Sequence, residues 1–409
     1  MVRGNVMVGQ SGGPTSVINS SLAGVFKTAK DAGCAHVYGM RNGIEGLLDE
    51  RYVDLSDYIK NDLDIELLKR TPSSFLGTCR YKLPSAEKSP EVYERIFSIL
   101  KKLGVEYFFY IGGNDSMDTI MQLSRFASKI GSDIRFMGVP KTIDNDLDCT
   151  DHTPGYGSAA KYIGTAMKEI IRDAKTYPND SVTIVEIMGR NAGWLAAASS
   201  LSRAEDCDGP DIIYLPERIF DHDRFLEHVA ERRKECGAVI VAVSEGVKTS
   251  DGRYVCEANK KSTVTDAFGH KLLGGTALYL SDFLTANTGV KSRGIVLSTL
   301  QRCASHLVSR RDITEAFMAG ADATVAALNG ATGKMVVFER ISDAPYSMVT
   351  GICDIEKIAN KEKCVPDAWI TADGTGVSNE FDNYARPLII GELSPFMVDG
   401  LPRHLFIDK

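Results

Sequence analysis

Glu106-Tyr107-Phe108-Phe109-Tyr110-Ile111 carries no charge after its first residue and stops at Gly112-Gly113-Asn114-Asp115-Ser116-Met117-Asp118-Thr119. The aromatic run reads as a buried strand, the paired glycines as a turn, and the polar stretch as the opening of a helix. The same pattern recurs along the chain. Val6-Met7-Val8-Gly9 leads into Gln10-Ser11-Gly12-Gly13-Pro14, and a helix is expected from about Ser16 with Val17, Ile18, Leu22, Val25 and Phe26 facing inward. Further strands are expected from Val182 to Ile187 before Met188-Gly189-Arg190, from Ala238 to Val243 before Ser244-Glu245-Gly246, and from Gly294 to Leu297. Strands alternating with helices predict an α/β fold of mainly parallel sheets covered on both faces. Ligands of such sheets lie beyond the carboxyl ends of the strands, where all of these loops fall.

Residues 158–175 give the clearest helical period, through Tyr162, Ile163, Ala166, Met167, Ile170, Ile171 and Ala174. Ser158, after Gly155-Tyr156-Gly157, is the expected cap. With 409 residues, 44% of them hydrophobic and 25% charged, the chain has ample material for two or three globular domains. A net charge of −7 with both signs interspersed gives no footprint for nucleic acid. No apolar run is long enough to span a bilayer, and Met1-Val2-Arg3-Gly4-Asn5 leads into a strand without a signal-peptide core. The nine cysteines are scattered singly, which favours buried reduced thiols in a cytoplasmic protein over a disulfide frame or zinc site.

A second loop follows another apolar run: Val139-Pro140-Lys141-Thr142-Ile143-Asp144-Asn145-Asp146. Paired glycines let a phosphate approach the backbone, and the helix start behind them offers unpaired N–H groups. The second loop adds a cation for phosphate, a carboxylate to take a proton and another to hold magnesium. Together they predict phosphoryl transfer. Each residue also has a plainer reading, as a turn-forming Asp, a solvated Lys or a helix-capping Asp, and only their conjunction argues otherwise.

Gly112-Gly113-Asn114-Asp115-Ser116 resembles the donor-phosphate loop of the 6-phosphofructokinases, and Pro140 to Asp146 resembles their catalytic loop. Gly12-Gly13-Pro14, Gly77-Thr78-Cys79-Arg80, Glu186-Ile187-Met188-Gly189-Arg190, Ser244-Glu245-Gly246 and Leu300-Gln301-Arg302 extend the match in order along the chain. Asp115 and Lys141 look like the pyrophosphate-dependent branch, since ATP-dependent members usually carry glycine at both positions. The resemblance implies two Rossmann-like, doubly wound domains with the active site in the cleft between them. One would comprise residues 1–150 with a return near 301–340 and bind the donor; the other, residues 151–300, would bind the sugar phosphate. Residues 341–409 would pack on both.

The implied activity is reversible, magnesium-dependent transfer from pyrophosphate to the 1-hydroxyl of fructose 6-phosphate, giving fructose 1,6-bisphosphate. Asp144 would be the general base, Thr142 would fix the transferring phosphate, and Lys141 would offset charge on the leaving one. Gly12, Gly13, Arg80, Gly113, Asn114 and Ser116 would surround pyrophosphate. Ile143, Met188, Gly189, Arg190 and Glu245 would lie along the sugar, with Arg293 and Arg302 on its 6-phosphate. Asn114 and Asp146 would hold magnesium, although many family members carry Asp at the first position. Asp115 would protrude where a nucleotide's α-phosphate must lie, whether or not it also caps its helix.

Two positions depart from the family pattern. Ser181 stands where a sugar-phosphate arginine aligns, and Thr299 where a histidine precedes Gln-Arg; His306, Arg310 or Arg311 are the candidates to compensate. The family builds this clamp partly from a neighbouring chain, so a homodimer or homotetramer is expected, with Arg293 as the donated residue. An ATP-dependent kinase is the nearest alternative. A non-catalytic regulatory subunit would be expected to lose the base or the donor lysine, and both are present. The motifs leave sedoheptulose 7-phosphate open as a second acceptor.

Overall fold

A computed structural model describes residues 4–176, 180–258 and 273–407 of the chain. Five strands precede the second loop: β1 (Asn5–Gln10), β2 (Val37–Met40), β3 (Tyr52–Asp54), β4 (Val105–Gly112) and β5 (Arg135–Pro140). Four follow it: β6 (Ser181–Ile187), β7 (Ile212–Tyr214), β8 (Ala238–Ser244) and β9 (Ser292–Val296). Two longer strands, β10 (Lys334–Asp343) and β11 (Tyr346–Asp354), come late in the chain. They assemble into a seven-stranded sheet in the order β11-β10-β5-β4-β1-β2-β3 and a four-stranded sheet in the order β7-β8-β6-β9. The smaller sheet is wholly parallel; the larger is parallel except for its outer strands β3 and β11.

The aromatic run of β4 shows why these strands pair as they do. Phe109 and Ile111 enter one core, shared with Ile18, Leu22 and Ala323, while Phe108 and Tyr110 enter another, shared with Ile120 and Phe136. Successive side chains alternate faces, and both faces are buried, so the strand reads as a continuous apolar run. β6 repeats the arrangement: Val182 and Ile184 face one core, Val185 and Ile187 the other. The mainly parallel α/β reading therefore holds for both sheets.

The chain returns to the first sheet through the helix Arg310–Leu328, which crosses the helix Ile18–Asp31 at very short range. A Cβ at Gly24 would lie 2.1 Å from the Phe317 carbonyl oxygen, and one at Gly320 would lie 2.0 Å from that of Ser21. Any larger residue at either position would push the helices apart. The return continues past residue 340, because β11 folds back along β10 from Asp343 to Lys334. Beyond it, Ile355 and Ile358 enter the core beside β4, whereas Val365, Phe381 and Leu388 enter the core beside β6.

Two expectations need correction. Ser158 does not cap its helix, which begins at Tyr156. The buried N–H groups of Gly155 and Ser158 instead donate to the two carboxylate oxygens of Asp312, at 2.9 Å each, from the helix Arg310–Leu328. A buried carboxylate beside a helix start is favoured over a hydroxyl because it meets two orphan donors and the local positive field. Of the cysteines, only Cys34, Cys79 and Cys256 are buried, while Cys149 and Cys364 are exposed. No helix among the described residues is long and apolar enough to cross a membrane.

Behind the second loop, β10 and the returning helix enclose a charged knot. His152, 2% exposed, lies between Asp151 and Glu315, with ring nitrogens 2.8 Å from each carboxylate, and Arg340 bonds Asp151 from the other side. Burial pushes the His152 pKa down, but the hydrogen bonds to Asp151 and Glu315 outweigh it and hold the pKa above its ordinary 6.5. A raised folded pKa means stability that is fully present below the unfolded value and lost as pH rises through the folded one. Urea denaturation of the native protein should therefore lose up to about 1.4 kcal/mol per pH unit over that window from this group. His152→Gln should flatten that slope; an unchanged slope would show that His152 is neutral in the fold.

Candidate active site

The carboxyl ends of β1, β4, β5, β6 and β8 open on one cleft of about 730 Å³. From the first sheet it is lined by Gly12 and Gly13 after β1, by Gly113, Asn114, Asp115 and Ser116 after β4, and by Lys141, Thr142, Ile143, Asp144 and Asp146 after β5. Arg80 joins them from the long connection before β4. The other side is formed by Met188 and Arg190 after β6, Glu245 after β8, and Arg302. The expected residues thus converge, with two exceptions. Gly189 lies behind the lining, where its carbonyl accepts a 2.6 Å hydrogen bond from Ser244. Arg293 lies on the edge strand β9, exposed and bonded to Asp173 at 2.9 Å and Thr183 at 3.2 Å.

The β4 loop feeds directly into the helix Asn114–Ile130, with Asp115 in its first turn. Gly112 is dictated by that geometry, since a Cβ there would lie 1.9 Å from the Ser116 hydroxyl. The β5 loop passes close by: the Lys141 N–H donates to the Gly112 carbonyl at 3.0 Å, and the Lys141 ammonium donates to the Gly13 carbonyl at 2.8 Å. One lysine therefore ties together the three loops that follow β1, β4 and β5. Burial lowers its pKa to about 8, against the opposing charges of Asp144 and Asp146.

Asp144 and Asp146 both face the cleft, while Asn145 between them turns inward with φ of 55° and no exposed surface. Burial raises the Asp144 pKa, opposed by the charges of Arg190 and Lys141. Burial and the neighbouring Asp144 push Asp146 up to about 7, and burial with Asp144 does the same to Glu245. The Thr142 hydroxyl accepts the Asp144 N–H at 3.1 Å, which leaves its own O–H available to a ligand oxygen. Cleft carboxylates with raised proton affinity beside arginines suit proton transfer next to a bound anion.

Asn114 donates to the Lys361 carbonyl at 2.6 Å, while its amide oxygen is buried and accepts no hydrogen bond. Such an oxygen asks for a cation or a water, and Asp146 supplies a carboxylate in the same cleft. Among the described residues no group of three or more His, Cys, Asp or Glu could hold a metal alone. Magnesium, which keeps waters and phosphate oxygens in its shell, needs no such group.

Among the polar lining residues, Lys82, Asn191, Asn360 and Glu362 lie outside the motifs read from the sequence. The last two come from a strap across the cleft. Asn360 donates to Asp118 at 3.1 Å, Glu362 accepts from Asn191 at 2.8 Å, and the Lys363 N–H reaches the Asp146 carbonyl at 2.8 Å. The signal in the sequence was a polar run, Asn360-Lys361-Glu362-Lys363, between the apolar anchors Ile358 and Val365. The compensating residues proposed for Ser181 and Thr299 do not line the cleft. Ser181 opens β6 at the end away from it, and Arg311 stacks over Tyr346 at 4.1 Å.

The chain is similar to known proteins over nearly its whole length. The family model described as Phosphofructokinase matches residues 5–327. The chain is 39% identical over 407 residues to a protein of Halomonas elongata named pyrophosphate--fructose 6-phosphate 1-phosphotransferase, covering 98% of this chain and 96% of that one. It is 41% identical over 408 residues to a protein of the same name from Xanthomonas campestris, covering 99% and 96%. Its structure resembles that of a pyrophosphate-dependent phosphofructokinase from Nitrosospira multiformis, with a TM-score of 0.88, 37% identity, and 98% and 95% of the two chains covered.

Proposed function

From the fact that the chain belongs to the phosphofructokinase family, we propose that this cleft is the active site of its phosphoryl transfer and assign its residues as follows. The protein is an enzyme that transfers a phosphoryl group from pyrophosphate to fructose 6-phosphate. The observation that carries the assignment of the site is the convergence of Asp115, Lys141, Asp144 and Arg190 on one cleft between the two sheets.

Pyrophosphate lies against Gly12, Gly13, Arg80 and the helix start at Gly113, Asn114 and Ser116, where backbone N–H groups and the helix field meet its charge. Lys141 counters the charge that grows on the departing phosphate. Asp144 takes the proton of the sugar 1-hydroxyl as that oxygen attacks, and Thr142 steadies the transferring group. Fructose 6-phosphate extends past Met188 and Arg190, with Glu245 on its hydroxyls and Arg302 on its 6-phosphate. Arg suits that role because its planar fork can bind two phosphate oxygens. Magnesium fits the Asn114 amide oxygen and the Asp146 carboxylate, and when bound it neutralises phosphate charge. Most of the catalysis is positioning and electrostatics, so the protein contributes little covalent chemistry. The ³¹P signals of pyrophosphate and fructose 6-phosphate should give way to a new sugar 1-phosphate and free phosphate, and the reverse mixture should run back. Phosphorylation at another hydroxyl would overturn the placement of Asp144.

The same reading includes a homo-oligomer, a dimer or tetramer, in which the clamp is completed by Arg293 of the neighbouring chain. What supports it is the place of Arg293, exposed on an edge strand and away from its own cleft. Mixing an Asp144→Asn chain with an Arg293→Ala chain should restore part of the activity that each lacks alone. Full activity of a solution monomer would end that assignment.

A further inference from the structure

The catalytic loop is held from behind by the last quarter of the chain. Asn145 turns its amide away from the cleft: its oxygen accepts the Thr153 N–H at 3.0 Å, and its nitrogen donates to the Tyr384 hydroxyl at 2.8 Å. That hydroxyl in turn donates to the Asp151 carbonyl at 2.7 Å, so one oxygen clips both ends of the segment 145–151, which carries Asp146 and begins beside Asp144. Tyr384 belongs to the helix Asn379–Ala385, and its ring packs against Trp194 and Trp369, with centroids 5.2 and 5.4 Å away. The Arg340 guanidinium lies 4.6 Å over the ring and donates to the Tyr384 carbonyl at 3.1 Å. Ring and backbone are thus clamped independently of the hydroxyl, which leaves the hydroxyl as a fixed point against which the loop is set.

We propose that Tyr384 is a positioning residue for the reaction: through Asn145 its hydroxyl fixes the loop conformation in which Asp144 faces the acceptor. Asn145 sits at φ 55°, a conformation that costs energy outside glycine and persists where surrounding contacts impose it. Without the Tyr384 contact, the loop would sample conformations in which the carboxylates on either side of Asn145 are displaced. A displacement of about 1 Å at a reacting group can cost of order a hundredfold in rate. The reference to the acceptor rests on the reading of Asp144 as the base, and the test separates the two.

Tyr384→Phe in the full chain keeps the ring packing and removes the clip. The expected result is a kcat lowered by about tenfold or more, KM for pyrophosphate and for fructose 6-phosphate within about twofold, and little change in melting temperature. Asn145→Gly removes the same hydrogen bond from the loop side, together with the one accepted from Thr153, and retains a residue suited to φ 55°. Combining the two should cost less than the product of the single losses, because both break the Asn145–Tyr384 contact while each also breaks one of its own, Asn145 with Thr153 and Tyr384 with Asp151. Unchanged kcat in Tyr384→Phe overturns the proposal, as does a double variant whose losses multiply. Should Tyr384→Phe melt below the assay temperature, Asn145→Gly carries the same kcat expectation, and normal turnover in it is equally fatal. An Asp144→Asn enzyme that stays active would instead remove the parent reading and leave the clip as a structural contact.

Discussion

Asp144→Asn should lower turnover by about 10²- to 10⁴-fold, the range a positioned general base contributes, while fructose 6-phosphate affinity changes little. The change keeps the size of the side chain and removes the proton acceptor. Its surroundings limit collateral damage. The Asp144 contact with Thr142 runs through its backbone N–H, so the loop keeps that hydrogen bond in the variant. The amide also relieves the burial of a charge that pushes the Asp144 pKa upward, so the variant should fold at least as well as the native chain. A thermal melt establishes this, and steady-state rates at saturating substrates give the fall in kcat. Retention of near-native turnover in a folded variant would make Asp144 a structural loop residue.

Donor choice should move when Asp115 and Lys141 are changed together. Asp115 stands in the first turn of the helix behind the phosphate loop, with its side chain in the cleft. Asp115→Gly removes a charge and opens volume where the α-phosphate of a nucleotide would lie. Lys141→Gly then removes a cation suited to the compact diphosphate. It also deletes the ammonium that holds the Gly13 carbonyl at 2.8 Å, so the two glycine loops lose their common tie. Removing a charge-stabilising group of this kind costs about 10²- to 10³-fold in kcat, and pyrophosphate turnover should fall by at least that. ATP turnover should rise from near nothing to detectable. Asp115→Gly alone should do less than the pair, because neighbours that contact one ligand act non-additively.

Most of the architecture was legible because its signals are local. Apolar runs such as Phe108 to Ile111 bury both faces of a parallel strand, and the glycine-rich loops that end them mark where ligands bind. The illegible parts depend on partners far along the chain. Asp312 caps a helix that begins at Tyr156, and no local pattern around Ser158 could show it. The strap at Asn360 and Glu362 has no periodicity, since its conformation is set by Asp118, Asn191 and Asp146. β11 was missed although its exposure alternates, because Pro345 and Gly351 interrupt the run on either side of Val349. The role proposed for Arg293 rests on resemblance alone, since the fold sets its side chain against Asp173 and Thr183.

The most direct test is the ratio of kcat/KM for pyrophosphate to that for ATP, measured on the unaltered protein with saturating fructose 6-phosphate and magnesium. With Asp115 and Lys141 in the cleft as described, pyrophosphate should support rapid formation of fructose 1,6-bisphosphate and ATP almost none. A chain that turns over ATP as well as or better than pyrophosphate would contradict the account at its centre.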